Sequence, residues 1–210
     1  MSNENPNWAQ RYEAVRPEYE GFDRRLHELL ITLLRRDGLD VVNVEHRVKT
    51  VESFVGKVTG RGKKYDHPLA EVTDLVGLRV VTFYLEDVAA VGDLLRREFA
   101  VDSVNSVEKM SELEPDRFGY ISTHYIIAVG EPRAELPEWA PYVDMKAEVQ
   151  VRTALQHAWA AVDHKLAYKS VRAAPADLRR RLSRLSALFE LADEQFSLLR
   201  DARQRVEEDY

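Results

Sequence analysis

The run LVGLRVVTFY, residues 75 to 84, constrains this chain more than any other segment. It is too short for an ordinary helix and rich in β-branched and aromatic side chains, so it reads as a strand. Apolar residues fall on both of its faces, which places it in the middle of a sheet and largely buried. Asp74 stands at its entry.

The rest of a layered fold is legible around it. Val41 to Val48 alternates well enough for a strand, and Tyr120 to Val129 and Lys146 to Arg152 are two more. Residues 102 to 118 read as a further strand followed by a polar loop. Phe22, Leu26, Leu29, Leu30, Leu33 and Leu34 recur at helical spacing, and Asp37-Gly38 closes that helix. Thr50 can cap a short helix buried through Val51, Phe54, Val55 and Val58. Glu86 to Phe99 is amphipathic. The prolines of the stretch Pro132 to Pro141 mark it as a loop. Thr153 caps a helix running to about Lys169, Pro175 breaks the chain, and Asp177 to about Val206 is a long charge-rich helix carrying Leu182, Leu185, Leu188, Phe189 and Phe196. This order predicts an α+β fold: a mixed sheet of about five strands flanked by helices, with helical extensions at both ends.

Composition narrows the function. The 210 residues suit one compact domain, and 45% apolar with 31% charged residues is ordinary for a soluble globular protein. The absence of cysteine excludes disulfides and thiolate metal sites. No apolar run approaches membrane-spanning length, and Met1-Ser-Asn-Glu-Asn-Pro lacks the pattern of a secretory leader, so a cytoplasmic protein is expected. The net charge of −6 argues for small ligands over a broad nucleic-acid surface. One segment runs against it: His46 to Lys64 holds six Lys/Arg and a single acid, Glu52. Alone, such a cluster is a solvated face.

Side-chain parity gives the cluster a context, because strand side chains alternate between faces. Asn43, Glu45, Arg47 and Lys49 share one face. Tyr120, Ser122 and His124 share another, and Glu148, Gln150 and Arg152 a third, opposite Ala147, Val149 and Val151. The wet side of an antiparallel sheet accounts for Ser122 and Gln150, and less well for Glu148 beside Arg152 or Tyr120 beside His124. Asp74 can project beyond the sheet edge and meet Glu148 if their strands are neighbours. Two carboxylates suit Mg²⁺, which binds through one or two of them together with substrate phosphates. Phosphoryl and pyrophosphoryl transfer need little more than a metal, cations on the phosphates and a positioned acceptor. Arg47, Lys49, Lys57 and Arg79 are the available cations, and Ser53 and Lys57 lie four apart on one helical face. His157, His164 and Tyr168 fall roughly on one face of the later helix, where each histidine alone is more readily structural. The doublet Asp163-His164 occurs in metal phosphohydrolases, but the further His and Asp ligands of those enzymes are missing.

Four blocks occur in order: Arg47-x-Lys49-x-x-x-Ser53-x-x-x-Lys57, Asp74-Leu-Val-Gly77-Leu-Arg79-Val, Gly119-Tyr120-Ile-Ser122-Thr-His124, and Glu148-Val-Gln150-Val-Arg152 continuing to His157, Trp159, His164 and Tyr168-Lys169. Together they resemble the synthetase domain of RelA/SpoT enzymes. The resemblance covers residues 41–170, leaving 1–40 as an N-terminal helical segment and 171–210 as a C-terminal helix. It implies a nucleotidyltransferase-like sheet and transfer of the β,γ-diphosphate of ATP to the 3′-hydroxyl of GDP or GTP. It also implies roles: Arg47, Lys49, Ser53, Lys57 and Arg79 on the ATP phosphates; Asp74 on Mg²⁺; Tyr120 stacked on the acceptor base; His124, Gln150 and Arg152 on the acceptor side. Glu148 either completes the metal site or takes the hydroxyl proton, and the residues leave both open. The chain carries neither the hydrolase nor the regulatory domains of long family members, which implies a stand-alone small alarmone synthetase, a group often homotetrameric. Two departures stand out. Ile-Ser-Thr-His-Tyr follows Tyr120 where Gln-Ser-Leu-His-Thr is commoner, and Asp163 stands where Glu is more usual. The first keeps open an adenine nucleotide or the tRNA 3′ end as acceptor, with Arg61, Lys63, Lys64 and Arg179-Arg180-Arg181 as candidate tRNA contacts. A third reading, a catalytically inactive nucleotide-binding regulator, is opposed by the presence of both Asp74 and Glu148.

Overall fold

A computed structural model describes residues 7–60, 65–106, 123–166 and 176–208, apart from the side chains of residues 163, 164, 166, 176, 179 and 208. Along the chain come α1 (Trp8–Arg36), β1 (Val41–Val48), α2 (Val51–Val58), α3 (Pro68–Glu71), β2 (Val76–Thr82), α4 (Leu85–Glu98), β3 (Phe99–Val101), β4 (Thr123–Val129), β5 (Lys146–Thr153), α5 (Ala154–Leu166) and α6 (Ala176–Glu208). The five strands form one mixed sheet in the order β1-β2-β5-β4-β3. β2 pairs with β5 in parallel, and the other neighbours are antiparallel. The apolar run read as central is β2, second from the edge and flanked on both sides.

One face of the sheet is the core. Val76, Leu78 and Val80 of β2, Ala147, Val149 and Val151 of β5, and Tyr125, Ile127 and Val129 of β4 pack against Phe22, Leu26, Leu30, Leu33 and Leu34 of α1 and Val88, Val91, Leu94 and Leu95 of α4. Burying side chains of this size is worth about 1.5–3 kcal/mol each. Helix α1 ends where expected. Gly38 adopts φ +68°, and Gly38 N–H and Leu39 N–H donate to the carbonyls of Arg35 and Leu34 at 3.1 and 2.9 Å. That conformation costs glycine nothing and closes the last turn. A second, smaller cluster joins Tyr12 of α1 to Phe54 of α2 and to Val72 and Leu75.

Helix α6 docks through polar contacts. Thr153 Oγ1 at the end of β5 donates to Asp193 Oδ2 at 2.7 Å, and Arg200 pairs with Glu86 and Asp87 at the start of α4 at 3.1 and 3.2 Å. No described helix is long and apolar enough to cross a membrane.

The strand expected from residue 102 lies earlier. Phe99 leaves the helix to enter β3, because its ring is buried in the core. Asp102 then starts a turn, accepting from Asn105 N–H at 3.2 Å. The polar loop, with Tyr120 and Ser122, lies outside the described residues. The loop from Pro132 to Pro141 contains a 3₁₀ turn at Arg133–Glu135 and runs into another at Ala140–Tyr142, and it buries Trp139.

Candidate active site

The second face of the sheet carries the polar residues, and register brings them into rows. Arg47 of β1, Gly77 of β2 and Glu148 of β5 are direct cross-strand neighbours. The next row holds Glu45, Arg79, Gln150 and His124, one from each of four strands. In the third, Asn43 and Val81 lead to Arg152. An open cleft lies over the first two rows, lined by Glu45, Arg47, Asp74, Gly77, Arg79, Glu148 and Gln150. Gly77 is its floor. A Cβ there would stand 3.9 Å from the Arg47 side chain, so the arginine extends over a position without a side chain.

Asp74 sits two residues before β2, where Leu75 C=O accepts from Lys49 N–H at 2.8 Å and prolongs the β1–β2 pairing. Lys49 Nζ contacts Asp74 Oδ2 at 3.0 Å, and Lys57 Nζ contacts Oδ1 at 2.8 Å. Each lysine is positioned by a separate device. The buried Tyr12 of α1 donates its hydroxyl to Lys49 C=O at 2.8 Å. Lys57 is held by α2, whose cap Thr50 accepts from Ser53 N–H at 3.2 Å. Burial pushes the Asp74 carboxyl up, but the hydrogen bonds and charges of Lys57 and Lys49 together leave it below the usual aspartate range. The carboxylate is therefore ionised at neutral pH.

Glu148 is the centre of a second chain of contacts. Arg152 Nη2 donates to Gln150 Oε1 at 2.5 Å, and Gln150 Nε2 donates to Glu148 Oε2 at 2.9 Å. His124 Nδ1 stands 2.9 Å from Glu148 Oε1. A carboxylate only accepts, so this nitrogen carries the proton. Burial raises the Glu148 carboxyl, while His124 and Gln150 outweigh it and hold it below the ordinary glutamate range; the charge of Asp74 acts upward. Burial and the nearby Arg79 push the Arg152 guanidinium down to about 10, which leaves it charged at neutral pH.

The structure thus gathers Arg47, Lys49, Lys57, Asp74, Arg79, His124, Glu148, Gln150 and Arg152 on one face or at its edge. Ser53 stands apart on the exposed first turn of α2, its Oγ accepting from Thr50 Oγ1 at 3.0 Å. Tyr120 lies outside the described residues. The sequence reading did not identify the partner of Arg79. Its Nη1 donates to Glu45 Oε2 at 2.6 Å, and His157 Nε2 of α5 comes within 4.0 Å of Glu45 Oε1. Parity had put Glu45 on this face, yet nothing in one strand indicates what lies across the pair.

Residues 46–173 match the family described as the region found in RelA / SpoT proteins. The chain belongs to the RelA/SpoT family. It is 29% identical to the GTP pyrophosphokinase YwaC of Bacillus subtilis (strain 168) over 156 residues, which are 72% of this chain and 71% of that protein. It superposes with a TM-score of 0.74 on the crystal structure of the small alarmone synthetase 1 from Bacillus subtilis, at 25% identity, over 93% of this chain and 98% of that one. The same synthetase bound to AMPCPP gives 0.70 at 25% identity, covering 93% and 99%. The RelA/SpoT match begins one residue before Arg47 and runs past Arg152, so it spans every residue of the cleft except Glu45.

What this RelA/SpoT face can do follows from its donors. Four cationic side chains, Arg47, Lys49, Lys57 and Arg79, and three carboxylates, Glu45, Asp74 and Glu148, lie in or beside a cleft open to solvent. Among the described residues no group of three or more His, Asp or Glu could hold a metal by itself. Asp74 and Glu148 line the same cleft closely enough for one charge to act on the other. Two hard oxygen donors of this kind fit a divalent cation that takes its remaining ligands from water and phosphate.

Proposed function

We propose that the chain is a nucleotide pyrophosphokinase that transfers the β,γ-diphosphate of ATP to the 3′-hydroxyl of GDP or GTP. The observation that carries this reading is the first row of the polar face. Arg47 and Glu148 flank the bare floor at Gly77, with Asp74 and its two lysines at the end of the cleft. Polyphosphate lies along the cations Arg47, Lys49, Lys57 and Arg79, with Ser53 on the same helix as Lys57. The acceptor lies on the His124, Gln150 and Arg152 side, its base stacked on Tyr120. The machinery falls within residues 41–170, with α1 and α6 as supports.

In the reaction a bond forms between the acceptor's O3′ and the β-phosphorus, and the bond from that phosphorus to the oxygen of the α-phosphate breaks, releasing AMP. Glu148 accepts the hydroxyl proton at Oε1, oriented by His124. Asp74 and Glu148 are the residues that would hold Mg²⁺. The cation supplies charge neutralisation to the diphosphate when bound. The lysines on Asp74 pass to the phosphates as these arrive. In this reading the enzyme is cytoplasmic and homo-oligomeric, with four copies.

The test is a thin-layer assay with γ-labelled ATP and Mg²⁺, offering GDP, GTP, ATP and deacylated tRNA in parallel. Label on GDP or GTP is expected. Label only on ATP or tRNA would move the acceptor assignment, and label on none would overturn the enzymatic reading.

A further inference from the structure

Both backbone groups of Lys49 are tied down, each by a different part of the fold. Its N–H donates to Leu75 C=O at 2.8 Å, beside Asp74, and its C=O accepts from the Tyr12 hydroxyl at 2.8 Å. Tyr12 is wholly buried. Its ring lies 4.5 Å from that of Phe54 on α2, the helix that carries Lys57. One side chain of α1 therefore meets the segments bearing both lysines, inside a cluster that also holds Leu75. A phenylalanine ring would fill the same space. The buried hydroxyl needs a partner, and the partner it has is the main chain of a lysine on Asp74. Tyr12 also lies outside residues 46–173, the part of the chain that matches the family.

Resting on the donor-site reading above, we infer that Tyr12 is a positioning residue for the donor: its hydroxyl fixes the Lys49–Thr50 link, so that the Lys49 ammonium is in place before the polyphosphate arrives. Tyr12 itself touches neither nucleotide and acts through Lys49. Without the hydroxyl, the link between β1 and α2 loses its tie to α1, and the donor must order it on binding. The ring contact with Phe54 does not need the hydroxyl, so α2 and Lys57 keep their places. The first turns of α1 thus belong to the donor site as well as to the core.

The test is calorimetric titration of AMPCPP with Mg²⁺ into the full chain and into Tyr12→Phe and Tyr19→Phe. Tyr19 is the control, because it lies on the same helix and its hydroxyl donates to Leu69 C=O at 3.3 Å, away from the lysines. Tyr12→Phe is expected to bind about fivefold more weakly, the scale of one hydrogen bond. Tyr19→Phe is expected to bind like wild type. In turnover assays the donor KM rises in Tyr12→Phe while kcat holds. In a Lys49→Ala background, Tyr12→Phe is expected to weaken binding no further. Unchanged binding in Tyr12→Phe would overturn the assignment. So would equal weakening in Tyr19→Phe, which would reflect a general loosening of α1, or a further loss in the Lys49→Ala background, which would show that the hydroxyl acts elsewhere. A wild-type chain that takes up no AMPCPP would instead remove the donor-site reading, and the role of Tyr12 with it.

Discussion

Asp74 concentrates the demands of the cleft on one carboxylate. It balances two ammonium groups in the empty state and is the proposed ligand of the cation. Asp74→Ala is expected to cut kcat a thousandfold or more, about 4 kcal/mol of barrier, with the circular dichroism spectrum unchanged. Rates near wild type would remove it from the metal assignment. Gln150 tests the second carboxylate. Its amide is one of the two donors that hold the Glu148 carboxyl below its usual range. Replacing it with Met leaves burial, which acts upward, opposed by His124 alone. The Glu148 pKa must then rise, and the group must be ionised to accept a proton. The acid limb of the kcat/KM profile is therefore expected to move to higher pH, and a limb that stays in place would take Glu148 out of the proton-accepting role. Lys49, His124, Glu148, Gln150 and Arg152 were legible from parity, because period-two alternation needs only the strand itself; Asp74 was legible from its place before β2 and Lys57 from its helical spacing. Their pairing was not. Glu45 meets Arg79 through the register of β1 against β2, which belongs to the pair and is written in neither strand alone. His46 shows the same limit: its ring turns to the helix side, bonded to Asp23 at 2.6 Å and stacked on His27.

Among elements, β2 does the most with the least. Its alternate residues enter the core, while the other face offers Gly77 and Arg79 to the cleft. A glycine in a strand interior is destabilising by roughly 0.5–1 kcal/mol relative to alanine, so its presence points to the bare floor it provides. Gly77→Val is expected to leave the melting temperature equal or slightly higher, since the nearest side chain stands 3.9 Å from the new Cβ. The donor KM is expected to rise about tenfold, or 1.4 kcal/mol. A variant that loses stability in step with activity would show a packing role instead. The buried middle of the sheet was legible for the reason that made β2 conspicuous, a short apolar run that no surface element would carry. The small strand β3 was not, because its three residues are set by where Phe99 finds the core and not by a pattern of their own.

Across the whole molecule, one core serves the sheet, α1 and α4. Leu30, fully buried in the C-terminal part of α1, anchors that layer. Leu30→Ala is expected to cost about 3 kcal/mol in urea unfolding. Far-ultraviolet dichroism and the fluorescence of the buried Trp139 and Trp159 are expected to report a single shared midpoint. Separate midpoints would show α1 to be an independent layer.

The parallel pairing of β2 with β5 has a consequence in time. Thr82 and Arg152, 70 positions apart in the chain, touch across that seam. A chain emerging from the ribosome presents Lys49, Lys57, Asp74 and Arg79 long before Glu148 exists, and translation at roughly 5–20 residues per second makes the interval several seconds. The part of the cleft made first carries the cations Arg47, Lys49, Lys57 and Arg79 and lacks Glu148, and closing the long loop is the slow step in building such a seam. Unfinished chains, and fragments cut before Lys146, are therefore expected to be inert: the proposed centre is assembled last, from two distant parts of the chain.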